Sequence, residues 1–300
     1  MRPQMRPQMR PRYVLFVALW LAAAWLCDAA PATAAVLTPG APAAVTGAYP
    51  NPYTSWPGEI TTIGFSGQGR AIEAYTLGDG PTRVLFVGGI HGGYEWNTVQ
   101  LAYQFIDHIT PQPRLLPDRF TITIIPVANP DGLARVVGHA GRFTPDEVSD
   151  LTAPGRFNAN DVDLNRNWDC NWSPTARWRD VTVSGGRAPF SEPETLVLRD
   201  YITAAQPAVV VFWHSAAPGV FAAGCDEPDA ASVALARAYA QGAGYPFASA
   251  FTAYTVTGDA GDWLAGRGIP SITVELNNRR DTDWAQNLAG VHALLAELAQ

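Results

Sequence analysis

Hydrophobic and polar positions alternate between strand-like and helix-like patterns along residues 57–300. Three near-continuous apolar runs, at residues 82–90, 208–214 and 271–276, are typical of strands buried on both faces. Further strands are predicted over residues 60–65, 71–77 and 120–127, and amphipathic helices over residues 95–110, 229–242 and 284–299. Strands that alternate with helices predict a single α/β domain whose central sheet is covered on both faces.

The segment of residues 128–190 is polar and rich in glycine, and its pattern predicts no regular element. It begins with a turn signal, Asn129-Pro130-Asp131-Gly132. After it, a helix is predicted to start from Ser191 as the N-cap, with Glu194 at the capping-box position. So long an irregular segment is usually functional.

The first 56 residues have a different pattern. A basic repeat, an apolar run and a group of small residues follow one another, an order that predicts a secretory signal peptide over residues 1–34. The apolar run of about 14 residues is shorter than the roughly 20 that span a bilayer, so no stable span is expected in the mature chain. Residues 35–56, rich in Pro, Gly and Ala, predict a linker. We therefore expect a secreted or extracytoplasmic protein, with lipid attachment at Cys27 as an open alternative.

Composition narrows the function classes. Hydrophobic residues make up 47% of the chain and charged residues 16%, as in a globular protein. The net charge is −7, and it becomes −10 without residues 1–34, which hold four Arg and one Asp. So acidic a chain argues against nucleic-acid binding. It also contains no P-loop and no G-x-G-x-x-G motif after a strand.

Two cysteines remain after the predicted cleavage, Cys170 and Cys225. In an exported chain such a pair predicts a disulfide, and two unpaired buried thiols are the alternative.

Residues capable of metal chemistry stand at the ends of the three most apolar strands. The runs end in His91, His214 and Glu275, and Glu95 follows His91 by four residues. Ligands of open α/β sheets bind outside the carboxyl ends of the strands. Two imidazoles and one carboxylate that leave a position open form a catalytic zinc site, and the second carboxylate can act as a base.

With these residues in order, the sequence resembles the zinc carboxypeptidase family over residues 58–300. The resemblance rests on GGIHGGYE (88–95), NPDG (129–132), GRFNANDVDLNRNW (155–168), FWHS (212–215) and ITVEL (272–276). It implies a mixed central β-sheet with helices on both faces and one Zn²⁺ per chain.

The resemblance also implies roles for individual residues. His91, Glu95 and His214 would bind zinc, and Glu275 would activate the zinc-bound water. The family spaces its first His and Glu by two residues, whereas three intervene here, a difference that Gly92 and Gly93 can absorb as a bulge.

The remaining assignments concern the substrate. Arg156 would stabilise the oxyanion, Asn165 and Arg166 would bind the terminal carboxylate, and Tyr254 would close over the terminal residue. Asp259 and Asp262 could favour a basic residue there.

The expected function is that of a secreted zinc metallocarboxypeptidase acting on peptides with a free C-terminal carboxylate. A murein-peptide amidase or carboxypeptidase that acts on cell-wall peptides is the alternative, because those peptides also end in a free carboxylate. An inactive binding relative is a further alternative, against which the presence of Glu275 argues.

Overall fold

The computed structural model describes residues 56–300, so the predicted signal peptide and nearly all of the predicted linker lie outside the described residues. The strands are β1 (Glu59–Phe65), β2 (Ala71–Leu77), β3 (Thr82–Val87), β4 (Phe120–Ile125), β5 (Thr175–Trp178), β6 (Val181–Ser184), β7 (Val209–Ser215), β8 (Gly219–Ala222), β9 (Phe247–Ala248) and β10 (Ser271–Leu276). The α-helices are α1 (Trp96–Ile109), α2 (Pro130–Val137), α3 (Pro193–Ala205), α4 (Ala230–Ala243), α5 (Ala260–Ala265) and α6 (Trp284–Glu297).

Eight of these strands form one mixed sheet, in the order β1-β2-β4-β3-β7-β10-β8-β9. Its centre is parallel, because β4, β3, β7 and β10 all run in the same direction. Antiparallel strands flank this centre, with β2 beside β4 and β8 beside β10. The predicted α/β fold with a mixed central sheet is therefore confirmed.

Both faces of the sheet are buried, which explains why its central strands are continuously apolar. In β7, Val209, Val211 and Trp213 pack into one hydrophobic cluster, with residues of α1, α4 and α6. Val210 and Phe212 point to the other face and join a cluster that contains residues of α3 and α5.

The prediction that residues 128–190 lack regular elements is wrong. Helix α2 begins where a turn was expected, because the Asn129 side chain accepts a hydrogen bond from Gly132 N at 2.8 Å and Pro130 occupies the first helical position. Both are also helix-start features. Strands β5 and β6 form a separate hairpin in the same segment.

The predicted start of α3 is also displaced. Its N-cap is Glu192 rather than Ser191, and it has no side-chain cap. The Ser191 hydroxyl instead donates to Glu192 Oε1 at 2.8 Å, so it does not cap the helix.

The parallel centre determines where the strand ends meet. Glu275 of β10 lies opposite His214 of β7, and Val87 of β3 lies opposite Phe212 of β7. The chain beyond Val87 continues the ladder, since Gly88 N donates to Ile125 O and Gly88 O accepts from Ala128 N. His91 consequently reaches the edge where β7 and β10 end. Within residues 56–300, no helix has the length and apolar character needed to span a bilayer.

Candidate active site

A tight turn in the backbone brings Glu95 close to His91. Residues Gly92–Glu95 form a 3₁₀ turn, which places Glu95 Oε1 2.9 Å from His91 Nδ1. Gly92 has φ of +46°, and a Cβ there would lie 2.6 Å from Gly155 O. A glycine is therefore required at this position for the three residues between His91 and Glu95 to fit.

His214 completes a group of three buried potential metal ligands. Its Nδ1 lies 3.2 Å from His91 Nδ1 and 3.1 Å from Glu95 Oε2, and the three residues' ligand atoms all lie within 4.8 Å of one another. Tetrahedral zinc with bonds of about 2.0–2.1 Å separates its ligand atoms by roughly 3.4 Å, close to these distances. The donor set fits zinc, and the predicted ligands are brought together.

Asp163 is a candidate functional residue that the sequence analysis missed. Its Oδ1 lies 3.2 Å from His91 Nε2, and its Oδ2 accepts from Arg156 Nε at 2.8 Å. Burial opposes its ionisation, but the charges of Arg156 and His91 hold the pKa of Asp163 far below its usual range. Metal-binding histidines commonly donate their second ring nitrogen to a carboxylate. The sequence feature that could have identified Asp163 is its position two residues before Asn165, in the same motif.

Arg156 is buried between this carboxylate and the metal-ligand group. Its Nη1 lies 3.7 Å from Glu95 Oε1, and its guanidinium carbon lies 4.7 Å from the centre of the Trp178 ring. Burial opposes its charge, but Asp163 and Glu95 raise the pKa of Arg156. A fixed cation therefore stands beside the candidate metal site.

Glu275 lies on the adjacent strand, half-buried in the cavity wall. Its Oε2 accepts a hydrogen bond from Ala217 N at 3.0 Å. Burial, with a contribution from the charge of Glu95, raises the pKa of Glu275 to about 7. A carboxylate with such a pKa can both accept and release a proton near neutrality.

The residues assigned to the substrate carboxylate line the same cavity, whose volume is about 430 Å³. Asn165 Nδ2 donates to Asp259 Oδ2 at 2.7 Å and retains a second hydrogen. Arg166 uses Nε and Nη1 on the carbonyls of Arg177 and Asn165, which leaves Nη2 without a hydrogen-bond partner among residues 56–300. Each residue thus keeps a donor for a ligand.

Tyr254 is a half-buried member of the cavity wall. Its ring packs edge-on against Phe251, with centroids 5.1 Å apart. Burial raises the pKa of Tyr254, so its hydroxyl is protonated at neutral pH.

Two acidic residues stand at the cavity end next to Asn165. Asp259 is the N-cap of α5, and Asp262 Oδ1 accepts from Gly224 N at 3.0 Å. Burial and then the charge of Asp259 raise the pKa of Asp262 to about 7. These carboxylates make this end of the cavity acidic.

The structure pairs Cys170 with Cys225 in a disulfide, as the sequence predicted. The bond joins the segment after Asn165 and Arg166 to a loop that lines the cavity at Gly224 and Asp226.

The family model described as zinc carboxypeptidase matches residues 58–287. Murein peptide amidase A of Escherichia coli K12 is 35% identical over 130 residues, which are 40% of this chain and 50% of that protein. The chain thus matches only half of the length of this relative.

Solved structures share the fold. Murein-tripeptide amidase MpaA from Escherichia coli O157 has a TM-score of 0.59 at 24% identity, covering 81% of this chain and 93% of that one. The carboxypeptidase A from Helicoverpa armigera has a TM-score of 0.65 at 20% identity, covering 81% and 68%. Given the length of the family match and this shared fold, the chain belongs to the zinc carboxypeptidase family.

Proposed function

We propose that the chain is a secreted zinc metallocarboxypeptidase that hydrolyses the C-terminal peptide bond of its substrate. The observation that carries the proposal is that His91, Glu95 and His214 share one cavity with Glu275, Asn165 and Arg166. An enzyme that cleaved only internal bonds would have no need of donors for a terminal carboxylate.

The proposed chemistry divides among the residues of the cavity. A zinc ion held by His91, Glu95 and His214 would polarise the scissile carbonyl and make the attacking water more acidic. Glu275 takes a proton from the attacking water and passes it to the leaving nitrogen. Arg156 donates hydrogen bonds to the carbonyl oxygen as negative charge develops there.

Binding of the terminal residue involves the other end of the cavity. Arg166 Nη2 and the second amide hydrogen of Asn165 donate to the terminal carboxylate, whose charge strengthens these hydrogen bonds. Tyr254 closes over the terminal residue of the substrate. Its ring covers the terminal side chain and its protonated hydroxyl remains a donor.

Cell-wall peptides are a second candidate for the substrate. The similarity to murein peptide amidase A favours them, and so does the pair Asp259 and Asp262. Two carboxylates beyond Asn165 and Arg166, the proposed ligands of the terminal carboxylate, suit a terminal residue whose side chain carries an ammonium group, such as a diamino acid.

Incubation of the secreted protein with a peptide panel, read by mass spectrometry, tests the proposal. The panel varies the terminal residue among Leu, Phe and Lys, and it includes C-terminally amidated copies and one muropeptide. We expect loss of one residue from the free C-terminus, abolished by a zinc chelator and by amidation. Cleavage of the muropeptide alone would select the second candidate. Internal cleavage, or activity that is insensitive to the chelator, would contradict both.

The variant Glu275→Gln separates binding from chemistry in the same assay. We expect it to retain one zinc per chain, measured by elemental analysis. Its kcat should fall by a factor of about 10²–10⁴, the contribution of a general acid–base group. A near-wild-type kcat would assign the base to another residue.

A further inference from the structure

The proposed mechanism leaves two cationic side chains of the cavity, Arg179 and Arg279, without a role. Arg279 lies in the turn after β10 and lines the cavity. The buried Asn97 side chain fixes this turn, because its Nδ2 donates to Asn278 O and to Asp281 O, both at 2.8 Å. The position of Arg279 is therefore set by the fold.

Among residues 56–300, Arg279 contacts an aromatic ring but forms no ion pair with a carboxylate. Its guanidinium carbon lies 4.3 Å from the centre of the Tyr94 ring. Its Nε is buried without a hydrogen-bond partner, and no carboxylate within residues 56–300 lies within ion-pair distance of it. A buried donor without a partner is costly, so a ligand that supplies an acceptor would be bound favourably.

The surroundings of Arg279 make one end of the cavity cationic. Tyr94 packs edge-on against Trp178, on which Arg156 also stacks. The exposed Arg179 lines the cavity next to Trp178. The acidic residues Asp259 and Asp262 belong to the other end, beside Asn165 and Gly224.

The direction of the bound substrate follows from the proposed function, on which this inference rests. The terminal carboxylate at Arg166 puts the leaving residue at the acidic end. The part of the substrate before the scissile bond then extends past Arg156 towards Tyr94 and Arg279. We propose that Arg279, with Arg179 at the rim, binds a carboxylate on the acyl side of the scissile bond. The preferred substrate is a peptide with a free carboxylate on the penultimate residue.

Paired peptides that differ only in a penultimate Glu or Gln test this specificity. We expect wild-type kcat/KM to favour the Glu peptide about tenfold or more, the size of a hydrogen bond between charged groups. Arg279→Gln should bring the ratio close to one, and Arg279→Lys should retain part of it. The matched control is Arg280→Gln, which removes an exposed arginine from the same turn and should keep the wild-type ratio.

A binding measurement keeps this proposal separate from the proposed function. Calorimetry with Glu275→Gln should give a Kd for the Glu peptide about tenfold lower than for the Gln peptide, and the added Arg279→Gln should remove the difference. If the wild type cleaves both peptides equally, or if Arg279→Gln weakens both equally, Arg279 only supports Tyr94. If neither peptide is cleaved, the proposed function fails and calorimetry decides the Arg279 proposal alone.

Discussion

Asp163 contacts both the candidate metal site and the candidate oxyanion-stabilising residue. One oxygen lies against His91 and the other against Arg156, so a single carboxylate orients both side chains. Such outer partners fix the tautomer and the direction of a metal-binding histidine. Sequence spacing alone did not reveal this role, because Asp163 and His91 are far apart in the chain and adjacent only after folding.

We expect Asp163→Ala to weaken zinc binding by about 10–100-fold, because His91 loses its orienting partner. Competition with a chromophoric chelator measures this affinity. Asp161→Ala is the matched control, since Asp161 belongs to the same segment but is exposed and pairs with Arg135. Equal zinc affinity for the two variants would contradict the role assigned to Asp163.

The pKa of Asp262 predicts pH-dependent selectivity. Burial and Asp259 raise this pKa to about 7, so Asp262 becomes ionised as the pH rises through that value. The ratio of kcat/KM for a Lys-terminated over a Leu-terminated peptide should therefore rise between about pH 5.5 and about pH 8.5. Asp262→Asn keeps an acceptor for Gly224 N and should make the ratio independent of pH. A wild-type ratio that does not change with pH would contradict the prediction.

At the scale of elements, the 3₁₀ turn of Gly92–Glu95 accommodates the one extra residue by which this chain departs from the family's spacing between the first His and Glu. Its glycine combines positive φ with backbone atoms too close for a Cβ. Gly138 also has positive φ, +85°, but a Cβ there would meet nothing within 4 Å. A side chain at Gly138 would therefore add backbone strain alone, whereas a side chain at Gly92 would add both strain and a steric collision.

We expect Gly92→Ala to lower the free energy of unfolding by roughly 1–3 kcal/mol more than Gly138→Ala, the range for overpacking a buried site. Zinc affinity should fall in Gly92→Ala alone, because the collision displaces Glu95. Denaturant titration and zinc competition measure the two effects. Similar losses in both variants would mean that strain, rather than collision, limits this turn.

The elements differ in how well the sequence predicts them, for a physical reason. Strands β3, β7 and β10 are buried on both faces, so their apolar runs are unambiguous. Strands β5 and β6 have mostly exposed or half-buried residues, and β9 has two residues, so their patterns carry little signal. Asn129-Pro130 is compatible with a turn and with a helix start, and only packing decides between them.

At the scale of the molecule, the disulfide connects parts of the cavity that local pattern could not place together. The segment at Cys170 is also held by Gly258, whose backbone N donates to Cys170 O at 2.8 Å. Asn165 and Arg166 are thus connected to the acidic end of the cavity through one segment that the disulfide holds in place. The pairing of the cysteines was predictable from the expected export, whereas the position of the disulfide beside the cavity was not.

Replacement of both cysteines, Cys170→Ser with Cys225→Ser, should lower the free energy of unfolding by about 4 kcal/mol. The bond closes 55 residues, and the chain-entropy relation gives this size. Guanidinium unfolding measures the difference, and a reductant should reproduce it in the wild type but not in the variant. A loss below about 1 kcal/mol would mean that the unfolded chain gains little freedom without the bond.

The position of β10 has a consequence for the synthesis of the protein. Among the strands of residues 56–300 it is the last to be synthesised, yet it lies between β7 and β8 in the sheet and carries Glu275. Until residues 271–276 have been made and inserted, β8 lacks its antiparallel partner on the β7 side of the sheet and the cavity lacks Glu275, its proposed base. We therefore expect a growing chain that ends before residue 271 to lack the proposed peptidase activity, which requires this strand to be in place.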